Sequence, residues 1–538
     1  MSAALHSLDW AVIGLYLLGI LAMAAVLARG QHSREDYFVG GRGVGAWPVA
    51  LSIMATQCST NSILGAPAFV AFAAGGGLIW LQYELAVPLA MIFIMLAMMP
   101  RLRRLNLVSV YGYLETRFDR RTRLVLSGLF MLVRAFATAV TVYSVALVVD
   151  LITGFGFVTS VLILGAFTAL YDVLGGIRGV IYSDVLQLGI LTVVLLLLLV
   201  SLAADAGGFT EMFSEFAPER RRGLNFSEWS ISGGSAFGFW PMLFGGFFLY
   251  VSYYGCDQSQ VQRTLSTAST DESNRALMLN GLLRFPLVAL YCLVGVGIGV
   301  YSASHPEFLS ALMGQGESGQ INLAVPAYML QALPIGLVGL GLVALFAAAM
   351  SSLDSVINAL SASTMEDFIR PLRRKPWSDT FELWICRGVT LFWGASTVAL
   401  SFYVGDIAPT VLEAINKIGS LANGPVLAVF LLGFFSSRVS GSAAIAGLLT
   451  GMGVNALCWL TLPSLSWLWW NPLGCTVTAT VALMITALAG TSAHGPGVIA
   501  GLSRGEEGDA DGNPVLWRRW SLGLAAWFAL LLVTLSLT

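Results

Sequence analysis

The chain has 538 residues, 57% of them hydrophobic and only 11% charged, with a mean hydropathy of +0.79. A soluble globular protein carries about 25% charged residues, so a large soluble enzyme is excluded and a polytopic membrane protein is indicated. The net charge of −2 leaves no basic footprint for nucleic acid.

A helix that crosses a bilayer needs about 20 apolar residues. In chain order such runs fall near residues 8–28, 45–73, 77–99, 124–152, 157–175, 180–204 and 236–262. Further runs fall near 276–302, 327–361, 382–403, 409–435, 441–462, 472–490 and 514–537. The pattern predicts an all-α polytopic membrane protein with about 14 transmembrane helices. The runs are continuously apolar and do not alternate, which excludes barrel strands. The first is read as a retained span, because no Lys or Arg precedes it, Asp9 opens it and Arg29 follows it.

With the N-terminus outside, Lys and Arg concentrate in the inside loops, Arg178 and Arg263 among them. Only Arg220, Arg221 and Arg222 then fall in outside loops, and both termini are expected outside. Arg134, Arg284, Arg387 and Lys417 lie within or at the ends of spans. Glu219-Arg220-Arg221-Arg222 reads as a solvated surface, and Trp467, Trp469 and Trp470 as an interfacial aromatic belt. The cysteines Cys58, Cys256, Cys292, Cys386, Cys458 and Cys475 read as small hydrophobes, with no disulfide or metal spacing. No span holds any of His6, His32, His305 or His494, so no enzymatic site and no cofactor are expected.

Secondary transporters build their sites from interrupted helices. The second run carries unbroken polar residues from Thr56 to Ser62, counting Cys58, with Gly65 and Pro67 after them. The seventh carries Gly245-Gly246 and ends in Tyr253-Tyr254-Gly255-Cys256-Asp257-Gln258. Backbone groups freed at membrane depth must face protein, ions or a water-filled cavity. The two breaks lie five spans apart, as an inverted five-helix repeat requires. This divides the chain into an extra N-terminal helix (1–30), repeats at 45–204 and 236–435, and extra C-terminal helices (441–538).

Four motifs fall in order along these spans. They are Asp36-Tyr37-Phe38-Val39-Gly40-Gly41-Arg42, the run Gly175-Gly176-Ile177-Arg178 to Ser183-Asp184 and Gln187, then Tyr254-Gly255-Cys256-Asp257-Gln258 to Gln262-Arg263, and Ser351-Ser352-Leu353-Asp354-Ser355 with Glu366-Asp367 after it. Together they resemble the signatures of the sodium/solute symporter family, from about Asp36 to Arg438. The third and fourth are similar to the branch of multivitamin, monocarboxylate and iodide symporters. The resemblance implies a LeuT-like 5+5 inverted-repeat core, with one helix before it and about three after.

It also implies a sodium site from the carbonyls of Ala55, Cys58 and Ala348 and the hydroxyls of Ser351 and Ser352. The plainer reading of those serines is close helix packing. A second sodium site, present in some members, maps to Asp184, Ser351, Asp354 and Ser355. Positions 351, 354 and 355 share one helix face. The family usually has Ser at Asp354, and a buried acid there strengthens a cation site, takes a proton or pairs with an Arg.

Substrate is expected between the breaks. The candidates are Gln57, Ser59, Thr60, Asn61 and Ser62; Gln82 and Glu84; Tyr253 and Tyr254; and Glu413 and Asn416, with Lys417 paired to Glu413. Arg134 lies about ten residues into an apolar helix, beyond snorkelling reach of either end, and needs an anion. Two readings stand: a bidentate clamp on a substrate carboxylate, or an internal pair with Glu84, Asp354 or Glu413. Bacterial sialic acid symporters resemble the first; the monocarboxylate branch usually lacks an Arg here.

The sequence therefore predicts a sodium-coupled symporter of the cell inner membrane, importing a small, monocarboxylate-type organic anion by alternating access. A neutral solute such as a sugar or proline, or sialic acid, is the alternative. Its expected partners are Na+, the substrate and the lipid bilayer, as a monomer or weak homo-oligomer. A membrane-embedded sensor is disfavoured, since residues 491–515 are too few for a kinase module.

Overall fold

The computed structural model describes residues 5–231, 237–313, 321–404, 411–489 and 512–538, and the side chains of these except Asn61, Met313 and residues 411–416. Among them the regular structure is helical, apart from one isolated bridge between Val44 and Thr267. Eleven of these helices are long and apolar enough to cross a membrane.

Helix α1 (Ser7–Ala28) opens with a capping box between His6 and Asp9. Asp9 is also buried, because its Oδ1 accepts the backbone N–H groups of Gly336 (2.8 Å) and Gly339 (2.7 Å). A carboxylate there complements the positive end of a later helix and docks α1 against it. The short α2 (Arg34–Val39) carries the first motif. Then α3 (Ala46–Gln57) and α4 (Thr60–Ala71) form one interrupted span. The interruption is narrower than the polar run predicts. Only Cys58 (ψ 59°) and Ser59 (ψ 163°) leave helical geometry, because α4 restarts at once with Ser62 and Ile63 donating to the Ser59 carbonyl.

Next come α5 (Leu78–Arg103), α6 (Arg120–Thr153) and α7 (Phe157–Asp205). Forty-nine residues of unbroken helix would measure about 74 Å, more than twice the ~30 Å hydrocarbon core. Gly176 (φ 53°, ψ −160°) breaks α7 between the two runs predicted at 157–175 and 180–204. Only glycine tolerates that region, and a Cβ at Gly176 would stand 2.8 Å from the Tyr37 carbonyl. The first two motifs meet here. Arg178 donates from Nε (3.0 Å) and Nη2 (2.7 Å) to the Gly40 carbonyl, so it is a structural clasp as well as a boundary charge. Gly176→Ala is expected to lower the thermal midpoint in detergent by several degrees; an unchanged midpoint would show that the joint tolerates a side chain.

The second interrupted span is α8 (Gly246–Cys256) and α9 (Gln258–Leu265), parted at Asp257 (φ −86°, ψ 125°). Asp257 Oδ1 caps α9 by accepting from the Ser259 N–H (2.9 Å) and hydroxyl (2.6 Å). The remaining spans are α10 (Thr270–Ser304), α11 (Leu337–Ser363), α12 (Asp379–Val404), α13 (Val411–Phe435), α14 (Gly441–Thr461), α15 (Trp470–Leu488) and α16 (Pro514–Ser536). The run predicted at 327–361 is two helices. Ala324–Ala332 ends before Pro334, and Gly336 (φ 87°) starts α11 afresh.

Three surface readings change. Arg263 is not a loop residue: it is 0% exposed on α9. Arg220 and Arg221 are held by backbone carbonyls, Arg220 by Val70 and Phe72 at the end of α4, and Arg221 by Ser214 and Phe216. Cationic side chains satisfy a helix C-terminus in this way. Of the tryptophans, Trp467 and Trp470 are buried in an aromatic and aliphatic cluster with Met242 and Leu468.

Candidate functional site

Between the two broken helices lies a cavity of about 290 Å³. The first break contributes Gln57, Ser59 and Ser62, and the second contributes Tyr253 and Asp257. Other helices add polar side chains, among them Glu84 of α5, Arg134 of α6, Arg284 of α10, Ser352 of α11 and Asn423 of α13.

Not every predicted residue faces it. Thr60 is buried and donates to the Leu345 carbonyl of α11 (3.2 Å), and so ties the break to its neighbour. Gln82 is buried too. Its amide donates to the Phe237 carbonyl (2.8 Å) and accepts from the Asn225 N–H (3.0 Å), which fixes the segment before α8. The Tyr254 hydroxyl donates to Gln57 Oε1 and orients it from behind. Asn61, Glu413 and Asn416, and with them the expected Glu413–Lys417 pair, lie outside the described side chains.

Arg134 has a partner, and it is none of the three acids expected. Its Nε donates to Asp257 Oδ2 (2.6 Å), its Nη2 lies 2.5 Å from the same oxygen, and the guanidinium carbon stands 4.9 Å from the centre of the Tyr253 ring. Glu84 is committed elsewhere, to Arg284 (3.2 Å). Asp354 accepts from Tyr171 and Ser355. Arg134 retains 22% side-chain exposure, and its Nη1 makes no hydrogen bond among the described residues. The guanidinium therefore keeps one edge for the cavity while its other edge holds the second break to α6.

Arg284 is a second cavity guanidinium, and it lies as deep in an apolar run as Arg134 does. The same signal, an Arg far from either helix end, marks it in the sequence. Its Nη1 donates to Cys58 Sγ at 3.0 Å, so Cys58 is an acceptor at the break and not only a small hydrophobe.

Of the expected sodium ligands, Ala55, Ala348, Ser351 and Ser352 lie together, and the carbonyl that faces Ser352 from the break is that of Thr56, not of Cys58. Ser351 Oγ lies 3.3 Å from the Ala55 carbonyl and 3.2 Å from that of Ala348. Ser352 Oγ lies 3.2 Å from the Ala348 carbonyl and 3.1 Å from that of Thr56. Carbonyls and hydroxyls of this kind suit a hard cation without burying net charge. Hydroxyls on α11 thus face carbonyls at the open end of α3, where helix geometry leaves acceptors unsatisfied.

The motifs beyond the cavity are wiring. Gln258 donates to the Val108 carbonyl (2.7 Å) and accepts from Val110 N–H (2.8 Å), and Gln262 donates to Phe38 (2.7 Å) and Asn358 (2.8 Å). Glu366 pairs with Arg34 and Arg370, and Asp367 with Arg123, which ties the end of α11 to α2 and α6.

The sequence profile of the Sodium:solute symporter family matches residues 37–451. The chain belongs to that family. It is a multi-pass protein of the cell inner membrane, in a family of sodium-coupled transporters. A sodium/sialic acid symporter of Aliivibrio fischeri is 29% identical over 454 residues, spanning 83% of this chain and 86% of that one. The human sodium-coupled monocarboxylate transporter 1 is 30% identical over 449 residues, 83% of this chain and 70% of that one. The fold matches a solved structure of a Na+-coupled sialic acid symporter in a substrate-bound outward-open state, with a TM-score of 0.81 at 24% identity, over 90% of this chain and 98% of that one.

Proposed function

We propose that this family member imports a small organic anion, of the monocarboxylate type, driven by sodium and alternating access. The observation that carries the reading is the Arg134 guanidinium, which offers an edge to the cavity between the two breaks. Planar, permanently charged Arg suits a carboxylate better than Lys does. The relatives named for sialic acid and monocarboxylates carry acids, which supports the same class.

Sodium held by Ala55, Cys58, Ala348, Ser351 and Ser352 would join α3 to α11 and set the first break in its binding geometry. Substrate would then meet Gln57, Ser59 and Ser62 on one side and Arg134 and Tyr253 on the other. Each ligand lowers the free energy of the same arrangement, so each tightens the other. The reading includes fourteen crossings with both termini outside. Counting the two broken spans, and α7 as a pair, adds three to the eleven long helices. Repeats at 45–204 and 236–435 between the extra helices, in a monomer or weak homo-oligomer, belong to the same proposal.

A neutral solute is the second reading. Asp257 and Glu84 already match the two cavity guanidiniums, so the cavity is formally balanced before substrate arrives. The test is uptake into proteoliposomes under an inward sodium gradient, with lactate, pyruvate, pantothenate, sialic acid, proline and glucose as substrates. The expected result is sodium-driven uptake confined to acids. Uptake of proline or glucose alone would establish the neutral reading.

A further inference from the structure

We propose that the transported acid carries an apolar body, alkyl or aryl, and that an apolar compartment beside Arg134 selects it. This rests on the organic-anion reading above. On α6 the cavity-lining residues before Arg134 include Val133, Phe130 and Leu126. Phe130 and Leu126 stand one and two turns back from Arg134, about 6 and 12 Å along the helix axis. Tyr111 lines the cavity too, its ring centre 5.5 Å from that of Phe130. Val356 of α11 and Val426 of α13 add further apolar lining. The compartment is continuous, because Tyr111, Leu126, Phe130 and Val356 belong to one packed apolar cluster and Val426 packs against it.

After Arg134 the lining of α6 turns polar, but its hydroxyl hydrogens are already engaged. Thr138 donates to the Arg134 carbonyl (2.7 Å) and Thr141 to the Ala137 carbonyl (3.1 Å). Elsewhere in the cavity Ser62 donates to the Gln57 carbonyl (3.3 Å) and Ser252 to the Asn423 carbonyl (2.8 Å). A polyhydroxylated or amide-bearing acid brings acceptors of its own, and a buried acceptor left unmatched weakens binding. An apolar body needs no such partner and gains by leaving water, about fourfold in affinity per methylene. Arg134 Nη1, which makes no hydrogen bond among the described residues, takes the carboxylate and leaves the body to fill the compartment.

Calorimetric titration of the purified full chain, in detergent and sodium buffer, tests this with acetate, butyrate, hexanoate, phenylacetate, sialic acid, proline and glucose. The dissociation constant is expected to fall about fourfold per methylene from acetate to hexanoate. Phenylacetate is expected to bind at least tenfold tighter than acetate, and sialic acid more weakly than hexanoate. Val133→Phe, which fills the compartment, is expected to cut the hexanoate-to-acetate affinity ratio at least tenfold. Equal affinity along the series, or sialic acid tighter than hexanoate, would overturn the proposal and leave the organic-anion reading standing. Neither result depends on a variant that must fold. A wild-type ratio in folded Val133→Phe would also overturn the proposal. Binding of proline or glucose, with no acid bound, would overturn the organic-anion reading and this proposal with it.

Discussion

Arg134→Gln is expected to abolish uptake of the transported acid, while Asp257→Asn is expected to lower the acid concentration needed for half-maximal uptake. The two variants separate the roles of one ion pair. Truncating one partner of a buried, hydrogen-bonded charge pair costs about 2–5 kcal/mol, which is a fall in affinity of at least roughly 30-fold at 1.4 kcal/mol per tenfold. Asp257 sits against Nε and Nη2 of Arg134 through a single oxygen, so its charge offsets the pull of the guanidinium on a carboxylate at the open edge. Removing the charge of Asp257 lifts that offset, and the α9 cap from the other oxygen position survives in part as an amide acceptor. If the pair were structural alone, both single variants would lose stability and transport together. The double variant, with neither charge buried, is expected to regain the thermal midpoint without regaining uptake.

Ser351→Ala with Ser352→Ala gives the second large effect. The sodium concentration for half-maximal uptake is expected to rise by tenfold or more, with little change in the folded state. In the proposed site each hydroxyl would supply one ligand, and each bridges from α11 to a carbonyl of α3 and to one of its own preceding turn. An oxygen lost to a site of this kind is worth about 1–3 kcal/mol, because the remaining buried acceptors are left unmatched. Sodium-titrated uptake measures it. A wild-type sodium dependence in the double variant would show that these serines only pack, as small residues do between membrane helices.

The features legible in the sequence are the local ones. Twenty-residue apolar runs marked the spans, and polar residues at membrane depth marked both breaks, since hydrophobicity and helix interruption are properties of neighbouring residues. Arg134 was legible for the same reason: its depth in an apolar helix shows without any partner. Asp257 was not legible as that partner, because it lies 123 positions away and only the tertiary fold brings it near. Gln82 shows the same limit. A polar residue beside a break reads as a ligand, but its amide fits the backbone of the segment before α8. Arg263 misled for a different reason. Gln258, Ser259, Gln260 and Gln262 make α9 look like a loop by composition, yet each of them is buried with its side chain donating a hydrogen bond to a neighbouring group.

The central claim is that sodium and substrate stabilise one arrangement of the two broken helices. Equilibrium binding of the radiolabelled acid that uptake identifies, to purified protein in sodium and in potassium buffers of equal ionic strength, tests it most directly. The account predicts binding at least tenfold tighter in sodium, and, by reciprocity, sodium binding tightened by the same factor when the acid is present. Equal affinity for the acid in the two buffers would contradict it.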